Sequence, residues 1–520
     1  MKQKIFALFL ILCGLCLNLK AETQGDIVGR VLDDSGAPLV GATVQILHAK
    51  GGVTTDEDGY FRIPYSKDGA VRVKVSFVGY QTQTFVLKAD ERKGEQHVLR
   101  LQPDATALDQ VVVTATRTPK ALKDAPVVTR LITANDIKIA DATNIQDLLT
   151  EQMPGLEFGY AMNQETSLNM NGFGGNAVLF LVDGERLAGE TMDNVDYSRL
   201  NLDNVGRIEI VKGAASALYG ANAVAGVVNI ISRENSEPWT ANVNTRYNDF
   251  NKEWRHGGSF SFNAGKWNSQ TSIQRTTSDE VQLTSPFDTE SNILHIYGGE
   301  TFNVKERLTY KLSDKVKLIG RGGYFNRISK RSNYDDHYMD YSAGLKTVMN
   351  LSENDNLEIS YGFDQYDKAR YVNDERTHDH DYTNRQNTVR ALYSHIFGKN
   401  TLTVGADFLN DYLTTYQFED NESKNQNSCD AFAQFDYNPL HWLNIVASLR
   451  HDYFSASSQH ATTGRLALMT KWKGFSIRAN YAGGFRAPTL KEMYMNFDMA
   501  GMQMIYGNPD LKPEKSNNFN

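Results

Sequence analysis

The stretch that decides the fold reads VGRIEIVKGAASALYGANAVAGVVNIISR and occupies residues 205–233. Its β-prone ends enclose a middle rich in Gly and Ala. Gly220 and Gly226 permit tight turns and close backbone approach, because a residue without Cβ reaches backbone angles that other residues avoid. A second block, LNMNGFGGNAVLFLVDGERL at residues 168–187, likewise combines glycines with a β-prone stretch, the apolar run 177–182. The two blocks predict a crowded unit that mixes helices and strands.

Downstream of residue 235 the sequence changes to segments of about ten residues in which apolar and polar side chains alternate. In residues 357–364, LEISYGFD, the apolar side chains fall on one face of a strand and the polar ones on the other. Residues 402–410, 443–450 and 475–482 behave alike. The apolar face would be the core of a water-soluble sandwich or the lipid face of a barrel, and periodicity alone leaves both open.

The connections between these strands alternate in length. Short ones are predicted near 264–266, 313–315, 352–356, 398–400 and 471–474, and long polar ones at 277–303, 328–338, 368–382, 413–428 and 485–515. This alternation is typical of outer-membrane barrels. Roughly thirteen strands can be counted, with a fourteenth starting near Ser516, against about 22 in plugged barrels. We therefore expect an incomplete barrel whose parent continues for roughly 150 to 200 residues.

Composition and the N-terminus exclude several classes of protein. The net charge of -8 and the dispersed basic residues argue against a nucleic-acid partner. Lys2, Lys4 and an apolar run over 5–17 predict a secretory signal at residues 1–21. After cleavage only Cys429 remains, so we expect no internal disulfide. No catalytic or phosphate-binding motif is found, which predicts a chain that is not an enzyme and requires no cofactor.

The N-terminal part contains GRVLDDSGAPLVGATVQI, GGVTTDEDGYFRI and VRVKVSFVGYQT, short β-rich runs separated by turns. These runs predict a small β-sandwich over residues 22–104. They resemble the carboxypeptidase regulatory-like domain. The resemblance implies that this part of the chain is not catalytic. We expect it to lie in the periplasm.

The segment DQVVVTATRTP at residues 109–119 is β-prone and is ended by Pro119. It resembles a TonB box, within a linker at 105–119, although an ordinary linker strand would look similar. Its backbone could add as a strand to the edge of a partner's sheet. The residues expected to bind TonB are Asp109, Gln110, Val111, Val112, Val113, Thr114 and Ala115.

The two glycine-rich blocks resemble the plug domain of TonB-dependent receptors, here over residues 120–235. The resemblance implies a mainly β fold: the small β-sandwich, a mixed α/β plug, and an antiparallel transmembrane β-barrel, incomplete here, over 236–520. It further implies a location in the outer membrane, in contact with its lipid, and active import driven by TonB of the inner-membrane TonB-ExbB-ExbD complex. A surface lipoprotein partner is compatible with it. A surface receptor or adhesin that binds without transport and a passive porin are the rival interpretations.

Two further stretches, GGFRAPTLKEMY at 483–494 and GNPDLKPEKS at 507–516, resemble boxes of haem and other metal-chelate receptors. The histidines usual in haem receptors, between these boxes and at the plug apex, are replaced by a loop rich in Met and Tyr. Most of these methionines are expected to fill gaps. His378 and His380 have a spacing that could hold a metal, but solvated loop residues are the preferred interpretation.

The transported ligand is expected to be a small metal chelate. Haem is narrowly favoured because an aromatic and Met surface suits a flat macrocycle. A ferric siderophore or a cobalamin is the alternative, since such chelates arrive with their metal already coordinated. The residues expected to bind the ligand are Tyr160, Met162, Asn163, Arg186, Tyr494, Met502 and Tyr506.

Overall fold

The computed structural model divides the chain into two compact units, residues 1–110 with 121–123 and residues 111–120 with 124–520. It describes residues 25–33, 38–39, 41–47, 52–56, 58–65, 70–77, 80, 82–87, 97–101, 111–161, 164–190, 194–235, 237–284, 293–419, 422–472, 475–499 and 501–520. The predicted signal peptide, Asp109, Gln110, Met162 and Asn163 lie outside these residues. Within them, none of the helices is long and apolar enough to cross a bilayer.

The first unit contains two sheets with a shared core. Its strands are β1 (Gly25–Leu32), β2 (Thr43–Ile46), β3 (Gly52–Thr54), β4 (Tyr60–Tyr65), β5 (Val71–Ser76), β6 (Gln83–Leu87) and β7 (His97–Arg100), in the orders β4-β1-β7 and β3-β2-β5-β6. Alternate residues of β5 point inward, so that Val73 and Val75 join Ile27 and Val31 of the other sheet in one buried cluster. This is the β-sandwich expected from the sequence.

The plug begins the second unit and mixes strands with short helices. Its elements are β8 (Val111–Val112), β9 (Lys120–Ala121), β10 (Thr129–Thr133), α1 (Ala134–Ala140), α2 (Ile145–Gln152), β11 (Leu156–Tyr160), β12 (Thr166–Met170), β13 (Phe173–Gly174), β14 (Val178–Val182), β15 (Glu185–Arg186), β16 (Val205–Lys212), α3 (Ser216–Tyr219) and β17 (Gly226–Ser232), with 3-10 turns at Leu122–Asp124, Gly175–Ala177 and Tyr197–Arg199. The main sheet has the order β10-β16-β17-β14-β15, and a smaller one the order β11-β12-β13.

Local sequence explains where the plug helices begin. Thr133 and Asp136 form a capping box before α1, and the Asn144 side chain caps α2. Leu148 and Leu149 of α2 are fully buried against the main sheet. These caps and this apolar face fix the helices on the sheet.

Two of the glycines singled out in the sequence are required by close approach. A Cβ on Gly226 would lie 2.6 Å from the carbonyl oxygen of Val211 in the neighbouring strand. Gly220 has a φ of +74°, and a Cβ there would lie 2.6 Å from Nη2 of Arg450. The prediction of glycines at crowded positions is therefore confirmed at these two residues.

The rest of the second unit is one large antiparallel sheet. Its elements are β18 (Trp239–Asn248), β19 (Glu253–Ala264), β20 (Trp267–Ser278), β21 (Val281–Thr284), β22 (Ile293–Ile296), β23 (Gly299–Lys311), β24 (Val316–Lys330), β25 (Asp335–Asn350), β26 (Asp355–Val372), β27 (Glu375–Arg376), β28 (Tyr382–Phe397), β29 (Asn400–Thr415), β30 (Ser423–Leu440), β31 (Leu443–Phe454), β32 (Gln459–Trp472), β33 (Phe475–Arg486), α4 (Leu490–Tyr494), β34 (Asn496–Asp498), β35 (Met504–Tyr506) and β36 (Glu514–Phe519). Fourteen of the strands pair in sequence order, while β27 pairs only with β26, β21 with β22, and β34 with β35.

Burial along the strands settles the choice that periodicity left open. In β31 the polar Ser448, Arg450 and Asp452 are buried, whereas Leu449 is 60 % exposed. Other large exposed apolar side chains lie on the same outer face of the sheet, among them Val243, Leu345, Phe475 and Ile477. The polar face is thus enclosed and the apolar face is outside, which fits a membrane barrel rather than a soluble sandwich.

The strand count agrees with the expectation from the sequence, but some of the predicted long connections do not. The long connection predicted at 328–338 is wrong, because β24 and β25 stay paired as far as Lys330 and Asp335. The one predicted at 413–428 shortens to 416–422, because β29 and β30 stay paired as far as Thr414 and Ser423. Polar residues can continue a strand beyond the bilayer when both strands extend together, since the ladder still satisfies their backbone groups. In the described part of the chain, β18 and β36 each pair on one side only, so the barrel is incomplete.

Candidate ligand face and coupling segment

Buried ion pairs join the plug to the inner face of the large sheet. The Arg199 guanidinium, 3 % exposed, lies 2.5 Å from Asp340 and 2.8 Å from Asp364. Arg327 reaches back into the plug, to Glu165 and Asp196, both at 3.1 Å. Because removing one partner of such a pair strands a buried charge, these contacts fix how the plug is seated.

Apolar packing joins the plug to another part of the sheet. One buried cluster contains the plug residues Leu179, Leu181, Val211, Leu218 and Val227 together with Leu392, Phe432, Val446 and Ala467 of β28, β30, β31 and β32. The inner face of the sheet therefore contacts the plug in two chemically different ways.

The segment that resembles a TonB box is anchored on the plug sheet by Glu209. This residue lies in β16 and is fully buried. Its Oε2 accepts hydrogen bonds from the backbone N–H groups of Val113 and Thr114, both at 2.8 Å, while Oε1 lies 2.8 Å from Nε of Arg207. Hydrogen bonds to a charged acceptor are about twice as strong as neutral ones. Glu209 thus holds two residues in the second half of this segment.

The remaining groups of this segment also have partners. Nδ2 of Asn229 donates to Oγ1 of Thr114, and the Tyr219 hydroxyl donates to the Thr114 carbonyl, both at 3.0 Å. Burial raises the pKa of Tyr219, so its hydroxyl keeps the proton that it donates. From the large sheet, Arg465 donates to the Ala115 carbonyl at 3.1 Å. Val112 and Ala115 are fully buried as well.

Because of these contacts, part of the segment predicted to bind TonB is packed against the plug and the sheet. Of the seven, Val112, Val113, Thr114 and Ala115 belong to the packed plug rather than to a free linker. Sequence reasoning missed Glu209. The available signal was a carboxylate among the apolar residues of β16, which needs a buried partner.

Of the ligand residues predicted at the plug apex, Tyr160 falls in the described part of the chain, and it lies on an open face. Tyr160, at the end of β11, is 79 % exposed. Close by in sequence, Gln164 accepts a hydrogen bond from the backbone N–H of Tyr297 at 3.1 Å and donates to the carbonyl of His295. The apex therefore contacts the connection between β20 and β23.

The connection between β33 and β36 folds partly back over the inside of the sheet. Leu490 and Met493 of α4 are buried in a cluster with Phe325, Tyr338 and Tyr366. Met493 therefore fills a gap, as expected. Met502 and Met504 do not, since they are 67 % and 48 % exposed in and beside the β34–β35 hairpin.

The other predicted residues of this connection are not brought into one pocket. Tyr506 is 70 % exposed, while Tyr494 is half-buried with Nζ of Lys424 5.2 Å from its ring centre. Among the described residues, no hydrogen bond or ring contact joins Tyr160 to Tyr494 or Tyr506. Tyr160, Met502 and Tyr506 are thus each exposed, without a contact that gathers them into one pocket.

Arg186, unlike Tyr160 and Tyr506, is not exposed. Its guanidinium donates to the carbonyls of Tyr219 and Ala221, and burial lowers its pKa to about 10. It lines two cavities between the plug and the sheet, of about 120 and 170 Å³. Arg186 thus holds plug carbonyls, and its role as a ligand contact stays a prediction.

The two histidines considered as metal ligands are engaged with neighbouring side chains. Nδ1 of His378 lies 2.9 Å from Asp381, and Nε2 of His380 lies 2.8 Å from Arg370. The described residues contain no group of three or more His, Cys, Asp or Glu side chains placed to hold a metal ion.

The fold and its contacts define a plugged outer-membrane β-barrel receptor. Models of three known domains match the chain: the TonB-dependent receptor plug domain at residues 121–227, the TonB-dependent receptor-like β-barrel at 240–520, and the CarboxypepD_reg-like domain at 27–113. The chain belongs to the TonB-dependent receptor family. Members of this family are receptors and transporters and not enzymes, as the sequence predicted.

Several characterised proteins are similar to this chain. A vitamin B12 transporter BtuB from Photobacterium profundum is 25% identical over 434 residues, covering 80% of this chain and 67% of the relative. An iron-regulated outer membrane virulence protein from Vibrio cholerae is 24% identical over 447 residues, covering 80% and 66%. The chain thus spans about two thirds of the length of these relatives.

Solved structures share the fold at lower identity. The siderophore receptor PirA from Acinetobacter baumannii matches with a TM-score of 0.64 at 18% identity, over 75% of this chain and 67% of that one. The hemophore receptor HasR from Serratia marcescens matches with a TM-score of 0.62 at 14% identity, over 76% and 69%. A specific relation to haem receptors is not supported by these similarities.

The anchoring by Glu209 generates a prediction for Glu209→Ala. Loss of the buried charged acceptor should lower the free energy of local opening at residues 113–114 by about 1.5–3 kcal/mol. Amide hydrogen exchange of Val113 and Thr114 should then speed up by about one to two orders of magnitude. Glu234→Ala, which removes an exposed carboxylate 3.2 Å from Arg307, is the matched control and should leave this exchange unchanged. Unaltered exchange in Glu209→Ala would contradict the anchor.

Proposed function

We propose that this protein actively imports a metal chelate across the outer membrane and is driven by TonB. The observation that carries the proposal is the anchoring of Val113 and Thr114 on the plug by Glu209, Tyr219 and Asn229. A force applied to the chain before Val113 would act directly on β16 and β17, the central strands of the plug. A protein that only binds its ligand has no need for such a connection.

The proposed partner is TonB of the TonB-ExbB-ExbD complex, which would engage the chain at and before Val111. Residues 112–115 are packed in the plug, so the proposed strand addition uses the upstream part of the box, or follows release of the packed part. A surface lipoprotein remains a compatible further partner. The passive porin is disfavoured because the plug lies against the inner face of the sheet and is held there by buried ion pairs.

The proposed ligand is a corrinoid or a ferric siderophore rather than haem. Relatives named as vitamin B12 transporters support this choice, whereas the hemophore receptor is similar in fold alone. The exposed side chains of Tyr160, Met502 and Tyr506 offer aromatic contacts and hydroxyl groups. A chelate whose metal is already coordinated needs only such contacts.

Coupling can be tested with Val112→Pro. Proline removes the backbone N–H and fixes φ, so it should disrupt this segment and its pairing with TonB. Uptake of a radiolabelled chelate should be lost while saturable binding to the cell surface remains. Val112→Ala keeps the N–H and should retain most of the uptake. If Val112→Pro cells take up the chelate normally, this segment is not the coupling element.

Ligand choice can be tested by titrating vitamin B12, a ferric siderophore and hemin against the purified receptor. We expect saturable binding of one of the first two and none of hemin. In Tyr160→Ala the affinity should fall roughly two- to tenfold, the loss of one aromatic contact.

The matched control is Tyr437→Ala, because Tyr437 is also exposed but lies on the sheet beside Phe435, in the strand segment paired with β31. Its affinity should equal that of the parent. Saturable binding of hemin alone would restore the haem interpretation, and an unchanged affinity in Tyr160→Ala would remove that residue from the ligand face.

A further inference from the structure

One carboxylate of the large sheet lies on its outer face, which contacts lipid. In β23 the Lys305 side chain points inward and donates to the carbonyl of Arg199 in the plug at 2.9 Å. Phe302 and Leu308 lie on the opposite face of the same strand and are exposed. Because side chains alternate along a strand, Glu306 shares the outer face with Phe302 and Leu308.

Glu306 lies between two aromatic groups of the outer face. Four residues toward one end of β23, Tyr310 packs beside Trp267 with 4.3 Å between the ring centres. Four residues toward the other end, Phe302 packs beside Tyr324 with 6.4 Å between the ring centres. At about 3.3 Å per residue, each group is about 13 Å from Glu306 along the strand. Outer-membrane barrels carry aromatic residues at both edges of their apolar band, so Glu306 lies inside this band and away from either edge.

The carboxylate has hydroxyl groups on one side and a notch on the other. Ser269 and Thr271 of β20 donate to its two oxygens, at 2.6 Å for Ser269. On the other side Glu306 pairs with Gly322 of β24, and a Cβ on Gly322 would have no atom within 4 Å. Ala343 of β25 comes next in the same row. Glu306 is partly exposed, and an ionised carboxyl group has about four acceptor sites, so the two hydroxyl groups leave capacity for another donor.

Lipid does not satisfy such a group. Hydrocarbon has no hydrogen-bond donors, and ionisable residues within a membrane are costly and by default mark a functional contact. Interfaces between protein segments in membranes are also enriched in small residues, because these let backbones approach closely. Gly322 and Ala343 offer that approach directly beside Glu306. The carboxylate and its notch therefore favour contact with another protein over contact with lipid.

A second copy of this chain fits the surface. Two copies in one membrane have the same orientation, so a two-fold axis along the membrane normal keeps every residue at its own depth. With the axis at Glu306, the two carboxyl groups meet and share a proton, so that the acid donates to the carboxylate. Thr271 and Gly322 lie on opposite sides of Glu306, so Thr271 of each copy then faces Gly322 of the other. A side chain opposite a notch matches in shape.

We propose that Glu306, Thr271 and Gly322 form the centre of an interface between two copies of this receptor in the outer membrane. The interface lies on the outer face of β20, β23 and β24, on the side of the sheet that does not contact the plug. The exposed apolar side chains of Ile273 and Leu308 border the centre and pack against the second copy. This assembly does not depend on which ligand is imported.

The test is disulfide formation in outer membranes of cells that produce the receptor with Cys429→Ser. Thr271→Cys and Gly322→Cys are made singly and together. Within one chain the two positions are separated by β23, so their Cα atoms are about 10 Å apart, which is too far for a disulfide. After oxidation with copper phenanthroline, the double variant should run as a dimer on a non-reducing gel. Each single variant should stay mostly monomeric, because the two copies of one position lie on opposite sides of the axis.

The matched control is a double variant elsewhere on the outer face. Ala433→Cys and Gly464→Cys flank Leu449 as Thr271 and Gly322 flank Glu306, and this pair should not form dimers. Equal crosslinking of both double variants would indicate random collision and overturn the proposal. So would the absence of a dimer from the Thr271 and Gly322 pair, a dimer through either single variant to the same extent, or a product with a different protein.

A second measurement isolates the carboxyl group. The dimer dissociation constant of the purified receptor in detergent is measured by analytical ultracentrifugation. Glu306→Leu should raise it about tenfold, the loss of one strong hydrogen-bonded pair, whereas Glu306→Gln still donates and accepts and should keep most of the affinity. Glu300→Leu removes an outer-face carboxylate 2.9 Å from Arg275 and should leave the constant unchanged. An unchanged constant in Glu306→Leu would overturn the role of this carboxyl group.

Discussion

The structure depends on the inward orientation of polar side chains in a sheet whose outer face is apolar. Contact with lipid favours apolar residues such as Leu449 and Ile477 on the outside. Because side chains alternate along a strand, Ser448, Arg450 and Asp452 then point to the inside. Charges enclosed in this way need partners, because an isolated buried charge is very costly. The plug supplies many of them, as Arg199 does for Asp340 and Asp364.

The same requirement links the plug to the chain that precedes it. Glu209 is a buried carboxylate, and the backbone N–H groups of Val113 and Thr114 satisfy it. The hydrogen bonds that satisfy this buried carboxylate are therefore the same ones that attach the preceding chain to the plug. The central plug sheet, its anchor and the apolar packing around Leu218 form a single contact network.

Much of this fold could be predicted from sequence because its signals are local. Alternation in 357–364 and the glycines at turns each depend on neighbouring residues. Local sequence patterns do not distinguish a sandwich from a barrel. The burial of polar side chains such as Ser448 in the folded chain decides between them. The prediction of a loop at 328–338 was wrong because polar composition does not distinguish a loop from a solvated strand.

The candidate sites were harder to predict because their contacts join distant parts of the chain. Glu209 and Val113 are 96 residues apart in sequence, and Arg199 and Asp364 are 165 apart. Arg186, a predicted ligand contact, binds carbonyls at the end of α3 and just beyond it, which the sequence did not indicate. Exposure of Tyr160 could be expected from its place in a polar segment, whereas burial of Met493 required the fold of α4 over the sheet.

Active import is the central claim, and energy dependence tests it most directly. Accumulation of a radiolabelled chelate can be followed in cells that produce the receptor, before and after the proton gradient across the inner membrane is collapsed. The proposed mechanism predicts that accumulation stops while saturable surface binding persists. Continued entry at a rate proportional to the external concentration would contradict it.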